Sequence, residues 1–231
     1  KYFKYTYGLR MINENKFKGL FGFNTRKEEE EITQTHCNMA LAIQMVTEEI
    51  VINMVTETKR LTNSKNLCLS GGVALNCVAN GKIEQLKLFD NIYIQPASGD
   101  AGGALGAALS INHMYFDCER IYSKGYDLMN GSYLGPYFSD KEILITNKKY
   151  KAVYKQFDSF EDLSKKVSKL ISKGNVIGWF QGRSEFGPRA LGNRSILADP
   201  RNSKMQKKLN LKIKYREGFR PFAPSVLEED Y

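Results

Sequence analysis

Between residues 33 and 60, apolar side chains recur at Met39, Ile43, Val46, Ile50 and Met54. This three-and-four spacing predicts one long helix with its apolar stripe turned inward. The pattern then changes. The apolar run NLCLS (66–70) stops at Gly71 and Gly72, and VALNCVANGKIEQLKL (73–88) follows with the length and composition of a helix. NIYIQP (91–96) reads as a second strand closed by Pro96, and SGDAGGALGAALSINHMYF (98–116) as a turn opening a helix of small residues. Helix, strand, helix, strand, helix is the order of an α/β layer with its glycine turns on one edge.

From about 117 to 150 the period fades and Tyr, Gly, Ser, Asn and Lys dominate, which reads as linker chemistry and places a domain boundary there. Beyond it KAVYKQF (151–157) is expected to be a strand. SFEDLSKKVSKLISKG (159–174) is expected to be a helix capped by Ser159 and stopped by Gly174, and NVIGWF (175–180) another strand. At the end of that strand stands QGRSEFGPRALGNRS (181–195). Its arginines are interleaved with Gly182, Gly187, Pro188 and Gly192 rather than set at helical spacing, so a loop is implied. RPFAPSVLEEDY (220–231) reads as running into a further strand.

Composition narrows the class. Of 231 residues, 42% are hydrophobic and 26% charged, as in an ordinary globular protein. No apolar run approaches the ~18 residues of a membrane span, so a cytoplasmic protein without membrane contact is expected. Cys37, Cys68, Cys77 and Cys118 have no metal-ligand spacing, and three of them stand in apolar surroundings where thiols pack as small hydrophobes. Residues 1–11 lack the pattern of a signal peptide, and the chain starts on Lys1 and stops without a cap or polar tail. It is therefore expected to be an internal piece of something longer.

The net charge of +9 is unevenly spread. Residues 201–220 hold eight Lys and Arg against Glu217 alone. A solvated basic helix, a nucleic-acid surface and a small-anion site all fit that balance. The arginine loop favours the last: the guanidinium forks of Arg183, Arg189 and Arg194 match oxyanions, and guanidinium groups crowded beside a strand end need anionic ligands or paired carboxylates. Glu185 could pair one of them. Lys212, Lys214, Arg216 and Arg220 form a second set of cations before a rigid proline turn.

The turns at 70–76 and 98–108 expose helix N-termini suited to phosphate or ribose, or else serve close helix packing. Neither has P-loop or dinucleotide spacing. Asp100 opens a helix as a cap or a metal ligand. His36 and His113 belong to no HxxxH or HExxH pattern and read as helix or surface histidines, and Ser70 lacks a nucleophile elbow.

Four blocks, LSGGVALNCVANGKI, IQPASGDAGGALGAAL, GWFQGRSEFGPRALGNRSILADPR and KYREGFRPFAPSVL, occur in that order. With them the sequence resembles the ATP-dependent O-carbamoyltransferases of the nodulation-protein-U and cephem-carbamoyltransferase type. The resemblance implies an α/β fold: part of an actin/Hsp70-like ATPase (Kae1-like) domain over residues 1–120, a linker over 121–150, and the start of a YrdC-like domain over 151–231. It implies carbamoyl-adenylate formation from carbamoyl phosphate and ATP, followed by transfer of the carbamoyl group to a hydroxyl acceptor. Arg183, Arg189 and Arg194 would be catalytic. Carbamoyl phosphate and ATP phosphates would be held by these with Glu185, Gly187, Ser195, Lys212, Lys214, Arg216 and Arg220. The adenylate would lie against Gly71, Gly72, Asn76, Asn80, Gly102 and Gly103. Asp100 would bind a divalent metal (Fe, or Mg or Mn) whose other ligands lie outside this chain. A homodimer is compatible with the resemblance, and nucleic acid is not an expected partner. The alternative is an RNA-binding or tRNA-modifying module related to the threonylcarbamoyl transferases.

Overall fold

The computed structural model describes residues 11–27, 30–121, 125 and 127–230. The leader reading of residues 1–11 falls, apart from Met11, outside the described residues, as does part of the acidic run at 27–31. Two compact units are present: residues 1–68 with 76–93, and residues 69–75 with 94–231.

The first unit opens with α1 (Glu14–Phe21), capped by Asn13 and ended by Gly22 at φ 78°. Phe17, Phe21 and Phe23 cluster on it, with Phe17 and Phe21 ring centres 4.8 Å apart. The expected long helix is present as α2 (Gln34–Thr62). His36 acts at its start, its Nδ1 accepting the Thr33 N–H at 3.1 Å, as a helix histidine can. The buried face differs from the expected one. Ile43, Val46, Ile50 and Met54 are all exposed, whereas Glu48 and Val55 are buried.

The reason lies in α3 (Cys77–Gln85). Asn76 caps α3 by accepting the Ala79 N–H at 3.2 Å, and its side chain also exchanges hydrogen bonds with Gln44 of α2. Lys82 pairs with Glu48, and this bond with that from Gln44 lowers the Glu48 pKa. Helix contact through hydrogen-bonded polar groups sets the face where apolar periodicity pointed elsewhere. By length and composition α2 could cross a bilayer, contrary to the run-length expectation, although Gln44 and Glu48 spend one side of it on α3.

β1 (Asn66–Leu69) pairs with β2 (Asn91–Ile94). Asp90 N–H bonds Lys65 O at one end and Gln95 N–H bonds Leu69 O at the other. Partners advance together along both strands, the mark of a parallel pair with a crossover between them. The segment read as one helix after Gly72 is split: a 3₁₀ turn, Gly72–Leu75, precedes the Asn76 cap and α3. Ala79, Ile83, Leu67, Phe89 and Val55 form the core of this unit. Full burial of a side chain such as Ile83 contributes about 1.5–3 kcal/mol.

In the second unit α4 (Asp100–Ser110) follows the second glycine turn and widens into a π-type turn, Ile111–Tyr115. The segment expected to be linker contains α5 (Asp140–Lys149), started by a Ser139–Glu142 capping box. Residues 151–157, expected to form a strand, have no regular structure, and Val153 is fully exposed. α6 (Phe160–Ser172) has the expected cap, Ser159 accepting the Asp162 N–H at 3.1 Å, and the chain reverses at Gly174 with φ 81°. β3 (Ile177–Phe180) then pairs antiparallel with β4 (Arg194–Leu197), a strand absent from the sequence reading. α7 (Met205–Leu209) buries Met205 and Leu209 and runs into a second wide turn, Asn210–Lys214. Residues 221–227 form no strand. All four cysteines are exposed, so the expected apolar packing of three of them is not found.

Candidate functional site

β3 and β4 anchor the arginine loop at both ends, Phe180 facing Arg194 in the register. Arg194 is turned back onto its own hairpin. Its guanidinium lies 3.4 Å from the centre of the Phe180 ring. One nitrogen donates to Gln181 O (2.7 Å) and Asn193 O (3.0 Å), the other to Gly182 O (3.1 Å) and Pro136 O (3.5 Å). Arg183 donates to Gly135 O at 2.9 Å. Two of the three arginines are thus engaged by carbonyl oxygens, and both reach the same short segment, 135–136. Arg189 is exposed, and among the described residues it has no polar partner.

Among the described residues Glu185 pairs with no arginine, contrary to expectation. Its Oε1 accepts the backbone N–H groups of Leu191 (2.8 Å), Asn193 (2.8 Å) and Arg194 (3.2 Å). Burial pushes its carboxyl pKa up, and these backbone donors pull it below the ordinary value, so the group is a carboxylate at neutral pH. Asn193 Nδ2 bonds Arg183 O at 2.7 Å, and Ser195 Oγ accepts the Gly192 N–H at 3.2 Å.

Segment 132–136 forms one wall. Tyr133 Oη donates to Leu191 O at 2.8 Å, Phe186 N–H to Ser132 O at 2.7 Å, and Gly135 and Ser184 are joined by a 2.9 Å backbone bond. Sequence reasoning missed these residues because they sit in a stretch without period; the Gly135-Pro136 pair was the available signal. Gly187 has φ 131°, and a Cβ there would lie 3.0 Å from Pro96 O and 3.3 Å from Ala97 Cα. Only glycine meets both conditions.

The second set of cations is divided. Arg216 Nε donates to Oδ1 of the fully buried Asn210 (2.7 Å) and stacks 4.9 Å from Phe222, and Arg220 pairs with Glu217 at 2.8 Å. Lys212 and Lys214 are exposed. Asn210 also donates to Gly218 O and Arg220 O, which fixes the turn that carries them.

Beyond β4, Arg201 binds Asp199 through two nitrogens, at 2.8 and 2.7 Å, and donates its backbone N–H as well. These bonds hold the Asp199 carboxyl down at about 2. Because the folded value lies below the ordinary 3.8, this contribution to stability is complete above about pH 4 and is lost as pH falls toward 2. Asp199→Asn is expected to flatten the acid limb of stability over that window, checked by urea midpoints at stepped pH. Asp199 borders a largely apolar cavity of about 530 Å³ with Ile171, Ile196, Met205, Leu209 and Phe222; none of the expected site residues lines it.

The glycine turns meet within the second unit: Gly71 N–H bonds Ser98 O at 2.9 Å. Gly71 has φ 96°, and Gly72 starts the 3₁₀ turn. Gly99, not Asp100, occupies the cap position of α4, with no side-chain cap, so Asp100 lies in the first turn. The cap residue, a glycine, supplies no side-chain acceptor to the first N–H groups of α4, and Asp100 places a carboxylate in that first turn. Gly103 donates its N–H to Gly99 O, whereas Gly102 lies against Ala97, whose carbonyl oxygen a Cβ would overlap. Asn76 is spent on the α3 cap and on Gln44, and Asn80, half-buried, follows it on α3. Among the described residues no three His, Cys, Asp or Glu side chains come together to hold a metal, and Asp100 by itself does not make a divalent site.

Residues 1–109 match the family model described as carbamoyltransferase N-terminus, and residues 168–231 match carbamoyltransferase C-terminus. An uncharacterized Synechocystis protein, sll1178, is 54% identical over 230 residues, covering 99% of this chain and 37% of the relative. Nodulation protein NolO of Bradyrhizobium diazoefficiens is 39% identical over 91% of this chain and 38% of its own length. A 3'-hydroxymethylcephem-O-carbamoyltransferase of Streptomyces clavuligerus is 32% identical over 86% and 35% respectively. The chain therefore spans little more than a third of each of these relatives. With both of the family's models matched in order along it, the chain belongs to the carbamoyltransferase family.

Proposed function

We propose that the protein to which this chain belongs is a cytoplasmic O-carbamoyltransferase that uses carbamoyl phosphate and ATP. The observation that carries the reading is the arginine loop: Arg183, Arg194 and Glu185 are engaged by backbone groups, whereas Arg189 is exposed and has no polar partner among the described residues. Carbamoyl phosphate and water give carbamate and phosphate. A carbamate oxygen then bonds to the α-phosphorus of ATP as pyrophosphate leaves, and an acceptor hydroxyl takes the carbamoyl group, releasing AMP. Arg189 supplies two parallel donors and a positive charge to an anionic oxygen pair as charge moves onto the leaving group. Arg183 and Arg194 hold the loop in shape. Lys212 and Lys214 add positive potential that attracts polyanions, and the open N-terminus of α4 suits a nucleotide phosphate. A divalent ion, with Asp100 as one ligand, would supply further charge neutralisation when bound.

The test is carbamoyl phosphate-dependent exchange of labelled pyrophosphate into ATP by the full-length protein. Exchange that needs carbamoyl phosphate is expected; none, or exchange indifferent to it, removes this reading. Millimolar carbamoyl phosphate is also expected to raise the thermal midpoint of the protein. Tight RNA binding that weakens steeply with salt, with no such protection, would favour the nucleic-acid alternative.

A further inference from the structure

Three backbone N–H groups converging on one oxygen is the way a peptide nest holds an oxyanion. In the arginine loop that oxygen belongs to the protein itself. Glu185 Oε1 occupies the nest made by Leu191, Asn193 and Arg194, with Gly192 at φ 112° giving the backbone its turn. The contact closes residues 185–194 into a ring, and Arg189 lies midway round it. The ring is also secured from outside. Tyr133 holds Leu191 O, Asn193 holds Arg183 O, and Gly187 is lodged against Pro96 and Ala97. Arg189 has no such fastening of its side chain, so the ring alone sets where its backbone stands.

We propose that Glu185 is a positioning residue: its carboxylate is a built-in anion that fixes the 185–194 ring and so sets the backbone position from which Arg189 meets the anionic donor. This rests on the reading of the loop as an anion site. It replaces direct substrate contact by Glu185 with action through Arg189, and it makes the 191–194 nest unavailable to substrate phosphate. The competing arrangement is a plug, in which Glu185 blocks a nest that a ligand phosphate enters by displacing it.

The two differ in sign. In the full-length protein, Glu185→Gln keeps the side-chain length and removes the charge, and Glu185→Asp keeps the charge and shortens the reach. Hydrogen exchange at the 191, 193 and 194 amides is expected to quicken about tenfold or more in both variants, with protection elsewhere unchanged. Calorimetric affinity for inorganic pyrophosphate is expected to fall about tenfold. Combined with Arg189→Ala, however, Glu185→Gln should cause no further loss, because a residue that acts through Arg189 has nothing left to orient.

Tighter pyrophosphate binding in Glu185→Gln establishes the plug and overturns the proposal. Additive losses in the double variant, or unchanged amide exchange, overturn it as well. If the coupling is found but wild-type protein shows no carbamoyl phosphate-dependent exchange, the reaction assigned above fails while the positioning role stands.

Discussion

Arg189→Ala in the full-length protein is expected to lower carbamoyl phosphate-dependent ATP–pyrophosphate exchange by about 10²–10³-fold, the usual loss when one preorganised charge donor is removed from a developing anion. The fold should be untouched, because Arg189 is exposed and braces nothing among the described residues. Arg194→Ala should behave in the opposite way. It strips the Phe180 stack and leaves the carbonyls of Gln181 and Gly182 without the guanidinium that donates to them, so the thermal midpoint should drop first. Arg189→Lys restores charge without the fork and should recover only part of the exchange. Normal exchange by Arg189→Ala would remove this residue from the site.

Gly102→Ala should produce the largest stability effect. An alanine normally favours a helix interior by about 1 kcal/mol over glycine. Here its Cβ would run into the Ala97 carbonyl oxygen, a backbone atom of a fully buried residue that has no side-chain freedom with which to yield. Overpacking of this kind costs about 1–3 kcal/mol, or several degrees in the melting midpoint for a domain of this size. Differential scanning calorimetry gives the answer. An unchanged midpoint with weakened ATP binding would mean that the glycine is there for the nucleotide, not for packing.

The sequence was most legible where one local rule decides. Ser159 and Gly174 bound α6 because an N-cap and a positive-φ stop act within a few residues. β1, β2 and β3 follow from short apolar runs closed by glycine, proline or the arginine loop. Legibility failed where a distant partner decides. The stripe at Ile43, Val46, Ile50 and Met54 satisfies helical periodicity, yet α2 packs on α3 through Gln44 and Glu48, whose polarity hid them. β4 was overlooked because RSIL begins with a charged residue, and that arginine is accommodated by stacking on Phe180 across the pair.

The arginine loop was recognisable from composition alone. The division of labour within it was not, because Arg183, Arg189 and Arg194 are chemically identical and only the carbonyls of segments 135–136 and 181–182 distinguish them. Glu185 shows the same limit. A carboxylate among arginines reads as an ion-pair partner, and nothing in its neighbours' identities tells that three backbone donors will reach it first.

The Pro96–Ala97 stretch is gripped from two sides, by Gly102 on α4, where an added carbon would overlap the Ala97 carbonyl, and by Gly187 on the arginine loop, where one would press on Pro96 O at 3.0 Å. Two motifs far apart in the sequence, one holding Gly102 and the other Gly187, are in this sense a single packing unit. A chimera between homologues with its crossover between residues 103 and 180 would set the Pro96–Ala97 stretch of one parent against the arginine loop of the other. One that takes both motifs from the same parent keeps the grip intact.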